Sequence, residues 1–406
     1  MYSIAIALYS FVVHLVMPFN RKAKKMISGQ RETFSILKKQ LDPNASYIWF
    51  HAASLGEFEQ GRPLIEKIRK EKPEYKILLT FFSPSGYEVR KNYPGADIVC
   101  YLPFDHYWNA RKFLRLLKPA MAIFIKYEFW MNYLNQLKRL EIPTYIVSAI
   151  FRPKQIFFRW YASRYRKVLN NYNWFFVQDQ QSLELLNRFN HRNASITGDT
   201  RFDRVYEIFE QRKELPIVEK FVNQAEHVFV AGSSWENDEA ILISYFNGHP
   251  EIKLIIAPHE ISEQRIETLK NSLTCSVARY SQASEDTVGE AGCLIIDCYG
   301  LLSSIYRYGD WAYVGGGFGK GIHNVLEAAV YGVPVLFGPR YQKFKEAKEL
   351  IACRGGVSVN SGEEFASRMN DFLSYSELMQ ETGKSAGEYV VRNLGATQKI
   401  YERLFP

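Results

Sequence analysis

Residues 47–81 read YIWFHAASLGEFEQGRPLIEKIRKEKPEYKILLTF. Tyr47–His51 and Lys76–Phe81 are short apolar runs, and Glu59–Lys72 between them carries Leu64, Ile65 and Ile68 at helical spacing. Strand, helix and strand in that order predict a parallel crossover unit. The alternation continues along the chain. Further strands are predicted at Ile98–Tyr101, Met121–Ile125, Thr144–Val147, Trp174–Val177 and Ser195–Thr197, with a helix at Tyr107–Leu117. A second series is predicted at Val228–Ala231, Lys253–Ala257, Leu294–Ile296, Trp311–Val314 and Pro334–Phe337. Strands separated by helical patterns form parallel sheets covered on both faces, so two series mean two doubly wound α/β domains. The segment Tyr206–Lys220 is polar and contains Pro216, which puts the boundary there.

The chain has 406 residues, suited to two domains of roughly 200 each. At 47% hydrophobic and 23% charged it is not a disordered chain. None of its five cysteines (Cys100, Cys275, Cys293, Cys298 and Cys353) forms a C-x-x-C pair, which argues against a zinc cluster or a disulfide framework and for free thiols in a reducing compartment. The net charge of +8 is unevenly placed. Residues 1–205 hold about 32 basic against about 16 acidic residues, and the remainder is net acidic. A basic first half suggests an anionic partner such as nucleic acid, acidic lipid or a phosphorylated substrate.

Residues 2–19, YSIAIALYSFVVHLVMPF, are largely apolar, and Arg21, Lys22, Lys24 and Lys25 follow at once. Eighteen helical residues reach ~27 Å, close to the ~30 Å hydrocarbon core. Charges after the apolar run fit a retained anchor with its basic flank on the cytoplasmic side, either a short span or an in-plane helix. The domain assignment is therefore an anchor helix at 1–20, an N-terminal domain at 21–205 and a C-terminal domain at 206–406, with the final helix free to pack back on the N-terminal domain.

In doubly wound sheets ligands sit beyond the C-terminal ends of strands. Two such sheets facing one another would form a cleft. The first predicted strand runs into Ala52-Ala53-Ser54-Leu55-Gly56-Glu57. Gly56 permits a tight turn. Two roles are open to Glu57: it completes a capping box with Ser54, or it faces the cleft as a general base. A second carboxylate follows another strand, in Lys126-Tyr127-Glu128-Phe129-Trp130. Lys126 and Glu128 share a side in extended geometry, as a local ion pair or as cleft residues.

In the second half, Trp311–Val314 leads into Gly315-Gly316-Gly317-Phe318-Gly319-Lys320-Gly321-Ile322-His323-Asn324-Val325-Leu326-Glu327. No Ser or Thr follows the Gly-Lys pair, so this is not a P-loop. It predicts a glycine turn opening a helix whose N-terminus receives a phosphate. Asn324 and Glu327 would share a helix face, where the carboxylate can accept two sugar hydroxyls. Ser233 and Ser234 end one strand of this domain, and His259 follows the next.

These motifs, His51-Ala-Ala-Ser54-Leu-Gly56-Glu57, Glu128-Phe-Trp130-Met-Asn132, Gly198-Asp-Thr-Arg201-Phe202-Asp203, Gly315-Gly316 and His323-Asn324-Val-Leu-Glu327, occur in an order that resembles the 3-deoxy-D-manno-octulosonic acid (Kdo) transferases. The resemblance implies a GT-B fold, CMP-Kdo as donor, a lipid A precursor as acceptor, inversion at the anomeric carbon, and no metal or other cofactor. It implies an inner-membrane protein of lipopolysaccharide biosynthesis. Residue by residue, it makes Glu57 the general base and Asn324 and Glu327 donor contacts. Ser233, Ser234, His259, Gly315, Gly316, Gly317, Gly321 and His323 complete the donor site, and Ser54, Gly56, Lys126, Glu128 and Arg201 line the acceptor site or the cleft. Lys126, Leu301, Val325 and Met131 depart from common family residues.

The anionic acceptor rationalises the basic first half. Between Glu141 and Asp179 there is no acid, while Arg152, Lys154, Arg159, Arg164, Arg166 and Lys167 alternate with Phe157, Phe158, Trp160, Tyr161 and Tyr165. This predicts either a patch for anionic inner-membrane lipids or a helix with a basic outer face. Three other readings compete: a GT-B enzyme using a UDP-sugar, a basic nucleic-acid-binding protein, and a non-catalytic sugar-binding scaffold. The anchor and the lack of any nucleic-acid motif argue against nucleic acid as a partner.

Overall fold

The computed structural model describes residues 2–211 and 213–406; Met1, Arg212 and the side chain of Arg164 lie outside the described residues. The chain forms two compact units, one ending at Arg204 and regaining Leu394–Pro406, the other Val205–Asn393.

The first unit carries a parallel sheet of β1 (Ser46–Ala52), β2 (Tyr75–Phe81), β3 (Ile98–Tyr101), β4 (Met121–Ile125), β5 (Thr144–Ala149), β6 (Trp174–Val177) and β7 (Ala194–Ile196). Their order is β3-β2-β1-β4-β5-β6-β7. Both faces are buried: Trp49, Phe124 and Phe175 pack on one side, and Ile48, Phe50 and Ile123 on the other. This explains why the strands read as continuous apolar runs.

The second unit carries another seven-stranded parallel sheet, of β8 (His227–Ser234), β9 (Ile252–Pro258), β10 (Val277–Arg279), β11 (Cys293–Ile295), β12 (Trp311–Val314), β13 (Val335–Phe337) and β14 (Gly356–Ser358), in the order β10-β11-β9-β8-β12-β13-β14. Two doubly wound units agree with the expected GT-B class. The short outer strands β10 and β14 were not among the predicted ones.

The last helix, Ala396–Leu404, belongs to the first unit. Asp203 holds its start, accepting from Gly395 N at 2.7 Å and from both Thr397 N and Thr397 Oγ1 at 2.6 Å. Ile400 and Leu404 then enter the core beneath β1 and β2.

The expected eighteen-residue N-terminal helix is shorter. It covers Tyr2–Val16, 15 residues and so ~22 Å. Pro18 disfavours helical backbone at the residue before it. Asn20 then opens a new helix, Arg21–Gln40, by accepting from Lys22 N and Ala23 N. The two helices meet at 118°, and no single described helix is long and apolar enough to cross a membrane. Ile4, Leu8, Phe11 and Leu15 are 73%, 63%, 60% and 58% exposed, and their spacing puts them on one helix face. Arg21, Lys22, Lys24 and Lys25 are all exposed.

The basic aromatic segment is not one regular helix. It folds as the 3₁₀ turns Ile156–Phe158 and Trp160–Ala162, a short helix Ser163–Arg166, and the 3₁₀ turn Lys167–Asn171. Phe157 is buried, whereas Trp160 and Tyr161 are exposed. Arg166 is structural: its Nε donates to Phe157 O at 2.7 Å, and its guanidinium lies over the Phe189 ring.

Candidate functional site

An open parallel sheet binds ligands where strand order reverses, at the carboxyl ends of the two strands flanking the reversal. In the first unit those strands are β1 and β4. Glu57 follows β1, and Lys126 and Glu128 follow β4.

Helix Leu55–Glu71 starts after Ser54. Ser54 makes no side-chain cap; its hydroxyl donates to Glu57 Oε2 at 2.9 Å. The capping-box reading of Glu57 therefore fails, because the serine oxygen is committed to the carboxylate and not to the helix backbone. Gly56 is exposed, lacks positive φ, and a Cβ there would touch nothing, so the tight-turn reading fails too. Burial pushes the Glu57 carboxyl above its ordinary range, and the Glu128 charge adds to this. Ser54, His51 and Lys126 pull the other way without cancelling the rise.

Lys126 takes left-handed backbone (φ 70°), with its N–H donating to Val147 O at 2.9 Å. This ends the extended alternation at Ile125, so Lys126 and Glu128 do not share a side as the strand pattern suggested. Glu128 turns into the core, where Oε2 lies 3.1 Å from His51 Nε2 and accepts from Trp130 Nε1. The Lys126 charge instead acts on Glu57 and Asp199.

Asp199 lies just beyond β7. It accepts from Arg201 N at 2.9 Å, Arg201 Nε at 2.8 Å and Gln60 Nε2 at 3.1 Å. Burial pushes its carboxyl up, but the Arg201 guanidinium outweighs this and holds it below the ordinary range. Arg201 is thus fixed by a buried, charged partner. Sequence reasoning named Arg201 and missed Asp199, although an acid two residues from an arginine in a Gly-Asp-Thr-Arg turn was the available signal.

In the second unit the reversal falls between β8 and β12. Ser233 takes positive φ (52°) at a register shift in β8. Gly315 sits against it so closely that a Cβ would lie 2.2 Å from Ser233 O. Gly316 (φ 93°) donates its N–H to Asp238 Oδ2 at 2.8 Å, and Gly317 packs on Gly338. Gly321 N closes the turn onto Gly316 O at 3.0 Å. Asp238 also accepts from Tyr313 O–H and Trp235 N, so it anchors the glycine loop to both neighbours.

The helix after the loop is only Leu326–Ala329, and it does not open directly from the glycines. The helix expected to receive a phosphate at its N-terminus is therefore a single turn set apart from the glycines. Asn324 stands just before this helix and not on its face. Its Nδ2 still reaches Glu327 Oε1 at 3.0 Å, and Ser303 donates to Glu327 Oε2 at 2.7 Å.

His259 and His323 stack at 4.3 Å, with Trp235 4.7 Å from His259. Trp235 Nε1, which can only donate, points to His323 Nε2 at 3.1 Å. Burial and the adjacent His259 push His323 down to about 4, so it is neutral near pH 7. Ser234 donates to Glu239 at 2.8 Å, and Glu239 pairs with Arg265. A 420 Å³ cavity opens among Ser234, Trp235, Arg265, Lys320, Gly321 and His323. A 530 Å³ cavity elsewhere in this unit, at β14, Arg354 and Phe372, contains none of the predicted site residues. Trp235 and Asp238 were not among the predicted site residues; a Trp and an Asp directly after a strand end were the visible cue.

Residues 28–204 match the family model for 3-deoxy-D-manno-octulosonic-acid transferase (kdotransferase). The chain is similar to 3-deoxy-D-manno-octulosonic acid transferases from Aquifex aeolicus, 26% identical over 86% of this chain and 92% of the relative, and from Rickettsia bellii, 26% identical over 98% and 99%. The Haemophilus influenzae transferase is 24% identical over 90% and 88%. Among solved structures, UDP-GlcNAc 2-epimerase from Neisseria meningitidis bound to UDP-GlcNAc superposes with a TM-score of 0.63 at 15% identity, over 88% of this chain and 99% of that one, a likeness of fold alone. The match over residues 28–204, the likeness to Kdo transferases along most of the chain and the two doubly wound units agree: this chain resembles the Kdo transferases.

Proposed function

We propose that this chain transfers Kdo from CMP-Kdo to a lipid A precursor, with inversion at the anomeric carbon and without a metal. The observation that carries this reading is Glu57. It is a half-buried carboxylate of raised proton affinity at the strand-order reversal of the family-matching unit. A base of that kind can take the proton of an acceptor hydroxyl as its oxygen attacks the anomeric carbon. The bond from that carbon to the CMP phosphate oxygen breaks as the new one forms, and CMP leaves with the electron pair.

The second unit supplies the donor side. Lys320 and Arg265 line its cavity and suit the phosphate and the Kdo carboxylate. Gly315, Gly316, Gly317 and Gly321 allow backbone to approach the donor, and Ser233, Ser234 and His259 border it. Neutral His323 offers a hydrogen bond without adding charge. The Asn324–Glu327 pair suits ribose hydroxyls. Fixed dipoles and cations of this kind stabilise a departing phosphate without reorganising.

The exposed apolar face of Tyr2–Val16, the four basic residues after it, and exposed Trp160 and Tyr161 support attachment in the plane of an anionic inner-membrane leaflet. Nucleic acid is not a proposed partner. The test is transfer by detergent-solubilised protein, with Glu57→Ala as control. A loss of activity below tenfold in that variant removes Glu57 from the role of base.

A further inference from the structure

His51 is the only histidine, acid or cationic residue in β1, and it is 0% exposed. Its partners define its protonation. Thr80 Oγ1 has a single hydrogen, which it donates to Phe50 O at 3.2 Å while accepting from Trp49 Nε1 at 2.8 Å. His51 Nδ1 faces this oxygen at 2.8 Å and Thr80 O at 3.1 Å. Both are acceptors there, so Nδ1 carries a proton. On the other side Nε2 faces Glu128 Oε2 at 3.1 Å. An imidazole nitrogen without hydrogen cannot bond a carboxylate oxygen, so a second proton lies between them. Trp130 Nε1 also donates to that oxygen, which favours leaving the proton on the histidine. A buried acid and a buried base that share a proton carry no net charge, which meets the condition for burying both.

We propose that His51 is an imidazolium paired with the Glu128 carboxylate, and that the pair acts as a positioning unit that fixes the charge felt by Glu57. This rests on Glu57 being the base. The groups facing Glu57 are Ser54, Lys126, His51, Glu128 and Tyr127. Those facing His51 are Glu128, Glu57 and Thr80, with the rings of Trp49, Phe124 and Trp130 around it. The pair holds one negative and one positive charge near Glu57. Removing the histidine alone leaves the Glu128 charge uncompensated and makes Glu57 harder to ionise. Removing the Glu128 charge releases the shared proton, so both charges vanish together and Glu57 changes little.

Two readouts on the full chain test this. Ring-nitrogen NMR of histidine-labelled protein, with the His51 signal assigned by its loss in His51→Asn, reads protonation whether or not Glu57 is the base. Two protonated nitrogens at pH 7 are expected in the parent and one in Glu128→Gln. The acidic limb of the kcat/KM profile for transfer should move up by about one pH unit in His51→Asn and stay within a few tenths in Glu128→Gln. A His51 with one bare nitrogen in the parent overturns the proposal. So does an unmoved limb in His51→Asn together with a downward shift in Glu128→Gln, the pattern of a neutral histidine beside a lone carboxylate. If Glu57→Ala retains more than a tenth of parent activity, the base assignment fails while the NMR result still decides the proton.

Discussion

Glu57 gains its character from its surroundings and not from its helix. Its carboxyl is pushed up by burial and by Glu128, and pulled down by Ser54, His51 and Lys126. A base must be ionised to act, so activity falls as pH drops through its pKa, and a raised pKa lifts that acidic limb. The limb should therefore lie above the ordinary glutamate range in a kcat/KM profile. Ser54→Ala removes a hydrogen bond that favours the ionised form, and the limb should rise further. Glu57→Ala should cost on the order of 10²–10⁴ in turnover, read from initial rates. The sequence placed Glu57 at a strand end, yet left its capping role open, because Ser54 and Glu57 are three apart in either case. Only the direction of the Ser54 hydroxyl separates the two. In the sequence His51 belongs to the first motif and carries no site role of its own. The legible signal was an imidazole within a strand otherwise apolar enough to be buried on both faces, since such a group requires partners.

Elements fared differently according to how much apolar surface they bury. Interior strands such as β1, β4, β8 and β12 are continuous apolar runs and were readable to within a few residues. The outer strands β10 and β14 are three residues each and largely half-buried, so their composition does not differ from a loop. The N-terminal helix was readable in kind and overestimated in length, because Pro18 acts on the backbone while the apolar run continues past it. That helix presents Ile4, Leu8, Phe11 and Leu15 on one exposed face. Leu8→Ser with Phe11→Ser should weaken partition to anionic vesicles by about a hundredfold, from ~3 kcal/mol of lost apolar burial, measured by co-sedimentation. At the other end of the chain, Asp203→Ala removes the acceptor of three hydrogen bonds to the last helix. The expected loss is about 1.5–3 kcal/mol in urea unfolding, with faster amide exchange confined to Ala396–Leu404.

At the scale of the whole molecule, one chain carries two seven-stranded parallel sheets that differ in strand order on one side, where β11 lies between β9 and β10, yet each reverses beside its own first strand and puts polar loops there. The strand series was legible; the strand order was not, because pairing between β1 and β4 or β8 and β12 leaves no local trace in the sequence. The first unit contributes a carboxylate of raised proton affinity, and the second a cavity with Lys320 and Arg265 at its wall. The most direct test is transfer in EDTA, using detergent-solubilised protein, CMP-Kdo generated in the assay and a lipid A precursor, with mass spectrometry of the lipid. A product heavier by one or more Kdo residues is expected, formed at the same rate with and without EDTA. An unchanged acceptor mass, with CMP-Kdo supply verified, would contradict the donor and acceptor assignment; product that disappears with EDTA and returns on adding a divalent metal would contradict metal independence.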